Sequence, residues 1–199
     1  MPRRSRRRLR GALLLLALLA AWPPPARGQA AEETTQLVIP DVAVVDQEGR
    51  PVRFYSDLVH GKVVMMNFVF TTCTTICPPL GATFAKVRKL LGERAGRDVQ
   101  LISVSIDPAA DTPARLKAWA QKLGGGPGWT LVTGDPEEIT RLLKALGVYT
   151  PSRGDHSPLL LAGNDAQGRW TRAYGLAPPA KLIELIDGLA RPDTQESRP

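Results

Sequence analysis

The feature that most constrains this chain is the run Val63–Phe70, Val-Val-Met-Met-Asn-Phe-Val-Phe. It is strongly apolar, and it lacks the in–out alternation of a strand with one wet face. Such a run predicts a strand buried on both faces of a mainly parallel sheet. A strand of that kind requires layers above and below it, so the chain must supply helices for both sides.

The remainder of the sequence supplies them. Asp41–Val45 and Pro51–Phe54 alternate around Asp46-Gln47-Glu48-Gly49 and predict a β-hairpin. Leu80, Phe84, Val87, Leu90 and Leu91 fall on one helical stripe ending near Gly92, and Val99–Ile106 predicts a second buried strand. Thr112-Pro113 and Asp135-Pro136 are each an N-cap followed by a proline at the first helical position. The first opens a helix with Leu116, Trp119, Ala120 and Leu123 on its apolar face; the second opens one running through Leu146. Gly124–Gly128 is a loop and Trp129–Val132 a short strand. Pro158–Ala162 and Arg169–Ala173 flank the turn Asn164–Gly168, and Pro178–Leu189 closes the chain as a helix. Alternating β and α segments ending in a hairpin and a helix predict an α/β, thioredoxin-like fold. Its expected form is a central mixed sheet flanked by helices, with an N-terminal β-hairpin.

The N-terminus has the grammar of an export signal: arginines at 3, 4, 6, 7, 8 and 10, an apolar run Ala12–Trp22, then prolines and small residues. The run is about half the ~20 residues of a spanning helix. The expected organisation is therefore an export signal over 1–28, which could instead be retained as an anchor, and a flexible lead-in over 29–37. A domain over 38–190 and a disordered tail over 191–199 follow. The expected location is the periplasm, near the inner membrane. Residues 1–28 carry seven of the 26 Lys and Arg and none of the 19 Asp and Glu, which leaves 19 against 19. The exported domain is formally neutral, so the basic balance of the full chain does not indicate a nucleic-acid partner.

Export sharpens the meaning of the only two cysteines, Cys73 and Cys77, which follow the buried strand directly. A loop of that size removes little unfolded-state entropy, so a purely structural disulfide is a poor explanation. Two sulfurs delivered to one sheet edge can close a reversible disulfide, hold a soft metal ion, or alternate between the two. Pro78 predicts that Cys77 stays out of helical dihedrals, on the loop entering the helix. An imidazole would complete a thiolate copper site, and the histidines are His60 and His156. His60 precedes the first core strand and reads as a solvated loop residue. His156, in Asp155-His156-Ser157-Pro158, enters a strand from a loop that this topology places beside the sulfurs. Met65 and Met66 sit mid-strand and read as packing.

Three motifs in order, Phe70-Thr71-Thr72-Cys73 to Cys77-Pro78, Ser105-Ile106-Asp107-Pro108 with Asp111-Thr112-Pro113, and Asp155-His156-Ser157, resemble the Sco/SenC family of copper proteins. The resemblance covers roughly residues 38–190. It implies copper, as Cu(I) or Cu(II), held by Cys73, Cys77 and His156. It also implies a role in assembling the copper A centre of cytochrome c oxidase, with that centre's subunit and another copper chaperone as partners. Asp107 and Asp111 are secondary candidates beside the site, with turn and cap roles as the plainer alternative. Asp155 could orient His156 through its second ring nitrogen. Pro158 stands where many thioredoxin-fold proteins place a cis-proline.

A cysteine pair after a buried strand also suits two other chemistries. A thiol–disulfide oxidoreductase cycling Cys73 and Cys77, able to reduce the cysteines of a copper-receiving partner, is the main alternative to a carrier. The spacing is one residue wider than Cys-x-x-Cys and lacks its preceding tryptophan. Peroxide reduction resembles Pro-x-x-x-Thr-x-x-Cys, and here Met66 and Phe70 occupy the proline and threonine positions.

Overall fold

A computed structural model describes residues 37–192. The expectations for the signal, most of the lead-in and the tail beyond Pro192 lie outside the described residues. Seven strands form one mixed sheet: β1 (Ala43–Asp46), β2 (Pro51–Arg53), β3 (Val63–Val69), β4 (Val99–Ser105), β5 (Trp129–Thr133), β6 (Leu159–Asn164) and β7 (Arg169–Tyr174). Their spatial order is β2-β1-β5-β4-β3-β6-β7. The predicted apolar run is β3, near the centre, parallel to β4 from Val63↔Val99 to Val69↔Ser105 and antiparallel to β6. The N-terminal hairpin does not stand apart. It extends the sheet by pairing β1 antiparallel to β5.

Four helices follow from the sequence signals: α1 (Cys77–Leu91), α2 (Pro113–Lys122), α3 (Pro136–Ala145) and α4 (Pro179–Ala190). Thr112 caps α2 by accepting from the Arg115 N–H, and Asp135 caps α3 by accepting from Glu137 and Glu138. Side chains of α1, α2 and α4 form one core with Met65 and Val69 of β3. Side chains of α3 and of the π-helical turn Phe54–Val59 form the other with Val64, Met66 and Phe68. The strand therefore sends alternate residues into two cores, as its apolar character on both faces requires. Met65 and Met66 are packing residues, both fully buried.

Three expectations need correction. Leu90 is 60 % exposed, so the buried stripe of α1 is Leu80, Phe84, Val87 and Leu91. Cys77 is the first residue of α1, not part of the loop before it. Proline is tolerated in a first turn because no intrahelical acceptor awaits its missing N–H, so Pro78 does not expel its neighbour. Pro158 is trans, as are all the described peptide bonds. Helix α1 lies tight against α2 because residue 81 is glycine: a Cβ there would come within 2.5 Å of Trp119 and Leu123 side-chain atoms. Among the described residues no helix is long and apolar enough to cross a membrane.

Candidate metal centre

The site is built at the C-terminal end of β3. The strand stops at Val69, the chain turns at Phe70–Thr72, and the Cys73 N–H donates to the Phe70 carbonyl at 3.2 Å. Four residues later α1 begins, and the Cys77 N–H donates to Cys73 Sγ at 3.3 Å. Ile76 at the N-cap position supplies no side-chain acceptor, and Pro78 and Pro79 have no N–H to cap. The Cys73 sulfur thus takes the role of the helix cap. Thr75 Oγ1 stands 3.7 Å from the same sulfur.

The two sulfurs are chemically unequal. Burial pushes the Cys73 thiol up, but hydrogen bonds from the Cys77 side chain and N–H and from Thr75 outweigh it, and its pKa is lowered. Cys77 is fully buried, and burial together with the neighbouring Cys73 pushes it up to about 12. Both cysteines are free thiols. Cys73 is therefore the more acidic of the pair, and Cys77 is the one that keeps its proton.

A buried carboxylate fixes the loop that carries them. Asp111 is fully buried; its Oδ1 accepts from the Thr71 N–H at 3.0 Å and from Thr71 Oγ1 at 2.5 Å. Its Oδ2 accepts from Ser105 Oγ at 2.7 Å. The cap of α2 is Thr112, while Asp111 closes a turn through its N–H on the Asp107 carbonyl at 2.9 Å. It ties the cysteine loop to the end of β4. Asp107 is 6 % exposed and forms an ion pair with Arg153 of the loop before His156. Its N–H donates to Ser105 Oγ at 3.0 Å.

His156 is buried at the same end of β3, where its Nε2 lies 2.7 Å from the Phe68 carbonyl oxygen. Burial lowers its pKa, and the Phe68 carbonyl opposes that shift in part, so the ring is neutral at pH 7. It lines a cavity of about 140 Å³ with Phe68, Val148, Tyr149 and Arg172. Asp155 is exposed, and its N–H donates to the Ser152 carbonyl at 3.1 Å. The imidazole contact described for His156 runs to Phe68 and not to Asp155. His60 is exposed at the opposite end of β3, with Nδ1 3.3 Å from Tyr55 Oη.

Cys73 and Cys77 are therefore brought together, while His156 is docked separately on the strand that leads to them. Among the described residues no three of His, Cys, Asp and Glu stand close enough to hold one metal ion. The donor types suit copper, since thiolates select soft ions and imidazole suits copper too. The pair offers two sulfurs, and His156, whose Nε2 is engaged by the Phe68 carbonyl, stands apart from them. Sequence reasoning missed Thr71, Ser105 and Arg153. Thr71 and Ser105 sit inside recognised motifs, but Arg153 lies outside them and acquires its role only through a contact made across the sheet edge.

Comparison with known proteins places the chain. A family model described as SCO1/SenC matches residues 30–181. A Stutzerimonas stutzeri protein named for copper binding is 33 % identical over 165 residues, covering 77 % of this chain and 74 % of that protein. The structure of Bradyrhizobium japonicum ScoI with copper bound superposes with a TM-score of 0.64 at 26 % identity, over 76 % of this chain and 99 % of that one. BsSco is described as having a disulfide switch and as a member of the Sco family of cytochrome c oxidase assembly proteins. It matches with a TM-score of 0.66 at 27 % identity, over 81 % of this chain and 98 % of that one.

Proposed function

The chain belongs to the SCO1/SenC family, and from that premise we propose that it is a copper carrier acting in cytochrome c oxidase assembly. Cys73, Cys77 and His156 are its ligands, and the copper A subunit of the oxidase receives the metal, with another copper chaperone as the source. Copper here is cargo: it is taken up, held and passed on. The observation that carries the reading is the convergence of two sulfurs of unequal acidity just past the end of β3, whose Phe68 carbonyl holds His156. Uptake of copper by both sulfurs must displace the proton from Cys77, whose thiol is the less acidic of the two. The imidazole then exchanges the Phe68 carbonyl for the metal. Export and work in the periplasm, near the membrane, follow the N-terminal grammar and belong to the same proposal.

The unequal thiols also favour a second reading, reduction of a partner's disulfide. The Cys73 thiolate attacks one partner sulfur, forming a mixed disulfide and releasing the first partner thiolate. Cys77 then gives up its proton and attacks Cys73 Sγ, closing a Cys73–Cys77 disulfide and releasing the second partner thiolate. Two electrons pass to the partner, and its two thiolates take up protons.

Copper titration of the reduced protein, followed in the thiolate-to-copper(II) charge-transfer region, separates the readings. The carrier reading expects one copper per chain, with binding lost in Cys73→Ser and Cys77→Ser and the spectrum altered in His156→Ala. Wild-type protein that takes up no copper yet reduces disulfides readily would replace it with the second reading.

A further inference from the structure

Both halves of the site are tied to one short connector, the segment Asp107–Asp111 between β4 and α2. It is knotted on itself: the Ala110 and Asp111 N–H groups donate to the Asp107 carbonyl at 3.0 and 2.9 Å. Asp111, at one end, holds the cysteine loop through Thr71. Asp107, at the other, holds Arg153. Arg153 is joined in turn to the ligand candidate, because the His156 N–H donates to the Arg153 carbonyl at 3.3 Å.

The loop's remaining hydrogen bonds are mostly its own. Gly154 N–H donates to Ser152 Oγ and Asp155 N–H to the Ser152 carbonyl. Among the described side chains of residues 151–157, the hydrogen bonds and ion pairs that reach the rest of the fold are Arg153 to Asp107 and His156 to Phe68. Those two ties are made in the same arrangement. The Arg153 tie therefore restrains the segment that carries His156.

We propose that the Asp107–Arg153 ion pair is a latch on the His156 loop, which makes Asp107 and Arg153 positioning residues that set how readily the imidazole joins the sulfurs. The proposal rests on the copper reading for its purpose, but not for its existence as a tie. Arg153 is 57 % exposed at its side chain while its partner carboxylate is buried. Water and salt therefore reach one partner only, and breaking the pair frees the loop without unfolding the sheet edge. The arrangement divides labour within one connector: one carboxylate fixes the sulfurs, and the other restrains the donor that has to move.

The test uses the full chain, reduced and metal-free, as wild type, Arg153→Gln, Arg153→Lys and Asp107→Asn. Amide hydrogen exchange at His156 reads the latch directly, and stopped-flow absorption with copper(II) reads engagement of the imidazole. Arg153→Gln and Asp107→Asn should each raise exchange at His156 roughly three- to tenfold, the range of a half-buried charged hydrogen bond. Both should speed the imidazole-dependent phase by a similar factor, with Arg153→Lys close to wild type. Raising salt to about 0.5 M should shift wild type toward Arg153→Gln and leave Arg153→Gln itself unmoved, because only the intact pair is screened. Unchanged exchange in Arg153→Gln, or equal salt sensitivity in both proteins, would overturn the latch. So would faster exchange without faster engagement in a protein that still binds copper through His156. If no variant binds copper while the exchange pattern holds, the carrier reading fails and the latch on the loop stands.

Discussion

The two loops at the end of β3 are held in opposite ways. The cysteine loop is gripped by the fully buried Asp111, which accepts from the backbone and hydroxyl of Thr71 and from Ser105. The histidine loop is held by one ion pair with an exposed partner and by one contact between a ring nitrogen and a carbonyl. A buried carboxylate with several donors is costly to disturb, since each donor loses its partner in a dry environment. A half-exposed ion pair contributes little beyond its own geometry. The difference indicates a firmly set sulfur pair and a more loosely held His156, the arrangement the proposed carrier role calls for. It also fits a carrier, which must both hold its cargo and let it go.

The largest expected effect comes from attacking the fixed half. Asp111→Ala leaves Thr71 N–H, Thr71 Oγ1 and Ser105 Oγ without their acceptor and should cost about 3 kcal/mol of stability in denaturant unfolding. Arg153→Gln should cost under about 1 kcal/mol in the same experiment. If the two costs were equal, the contrast between the loops would be lost.

An effect of intermediate size lies within the fixed half itself. Cys73 is thiolate-prone and Cys77 is pushed up to about 12, so alkylation of the metal-free protein should be ordered. Mapped by mass spectrometry against pH, Cys73 should react below the ordinary thiol range. Cys77 should stay unmodified until the fold opens. Equal labelling of the two would mean that the cap-like contact at Cys73 does not bias the pair.

The smallest effect lies away from both loops and supplies a baseline for acid experiments on them. Asp41 accepts from the backbone N–H groups of Tyr55 and Ser56, from Ser56 Oγ and from Arg53. These interactions, the Ser56 N–H foremost, lower its pKa to about 2. A carboxyl lowered on folding stabilises the native state above its ordinary pKa of 3.8, and that stabilisation fades as pH falls through about 2. Asp41→Asn should flatten the acid limb of the stability curve slightly between those values, with no change in thiol reactivity.

Much of this molecule was legible in its residues. The apolar character of Val63–Phe70 on both faces reported a strand between two cores, and the cap-plus-proline signals placed α2 and α3. Periodicity and caps are local, so sequence carries them well. The departures arose where local rules met tertiary context. Pro78 suggested a non-helical Cys77, but a helix accepts proline in its first turn. Asp111 is the turn residue its surroundings suggest, but its hold on the cysteine loop is not legible locally, because Thr71 lies forty residues away. Arg153 gave no signal, since its partner lies 46 residues distant along the chain. The three ligand candidates were identifiable by type and order, whereas the gap between the sulfur pair and the docked His156 is a property of the packed structure alone.

The most direct test of the account is the copper coordination shell, measured by X-ray absorption on the loaded wild-type protein and on His156→Ala. A preset sulfur pair joined by a movable imidazole predicts two sulfur neighbours and one imidazole nitrogen in wild type. In His156→Ala the two sulfurs should remain and the imidazole signature should vanish. Identical shells in the two proteins, or a wild-type shell without imidazole, would contradict it and leave His156 as a packing residue on Phe68.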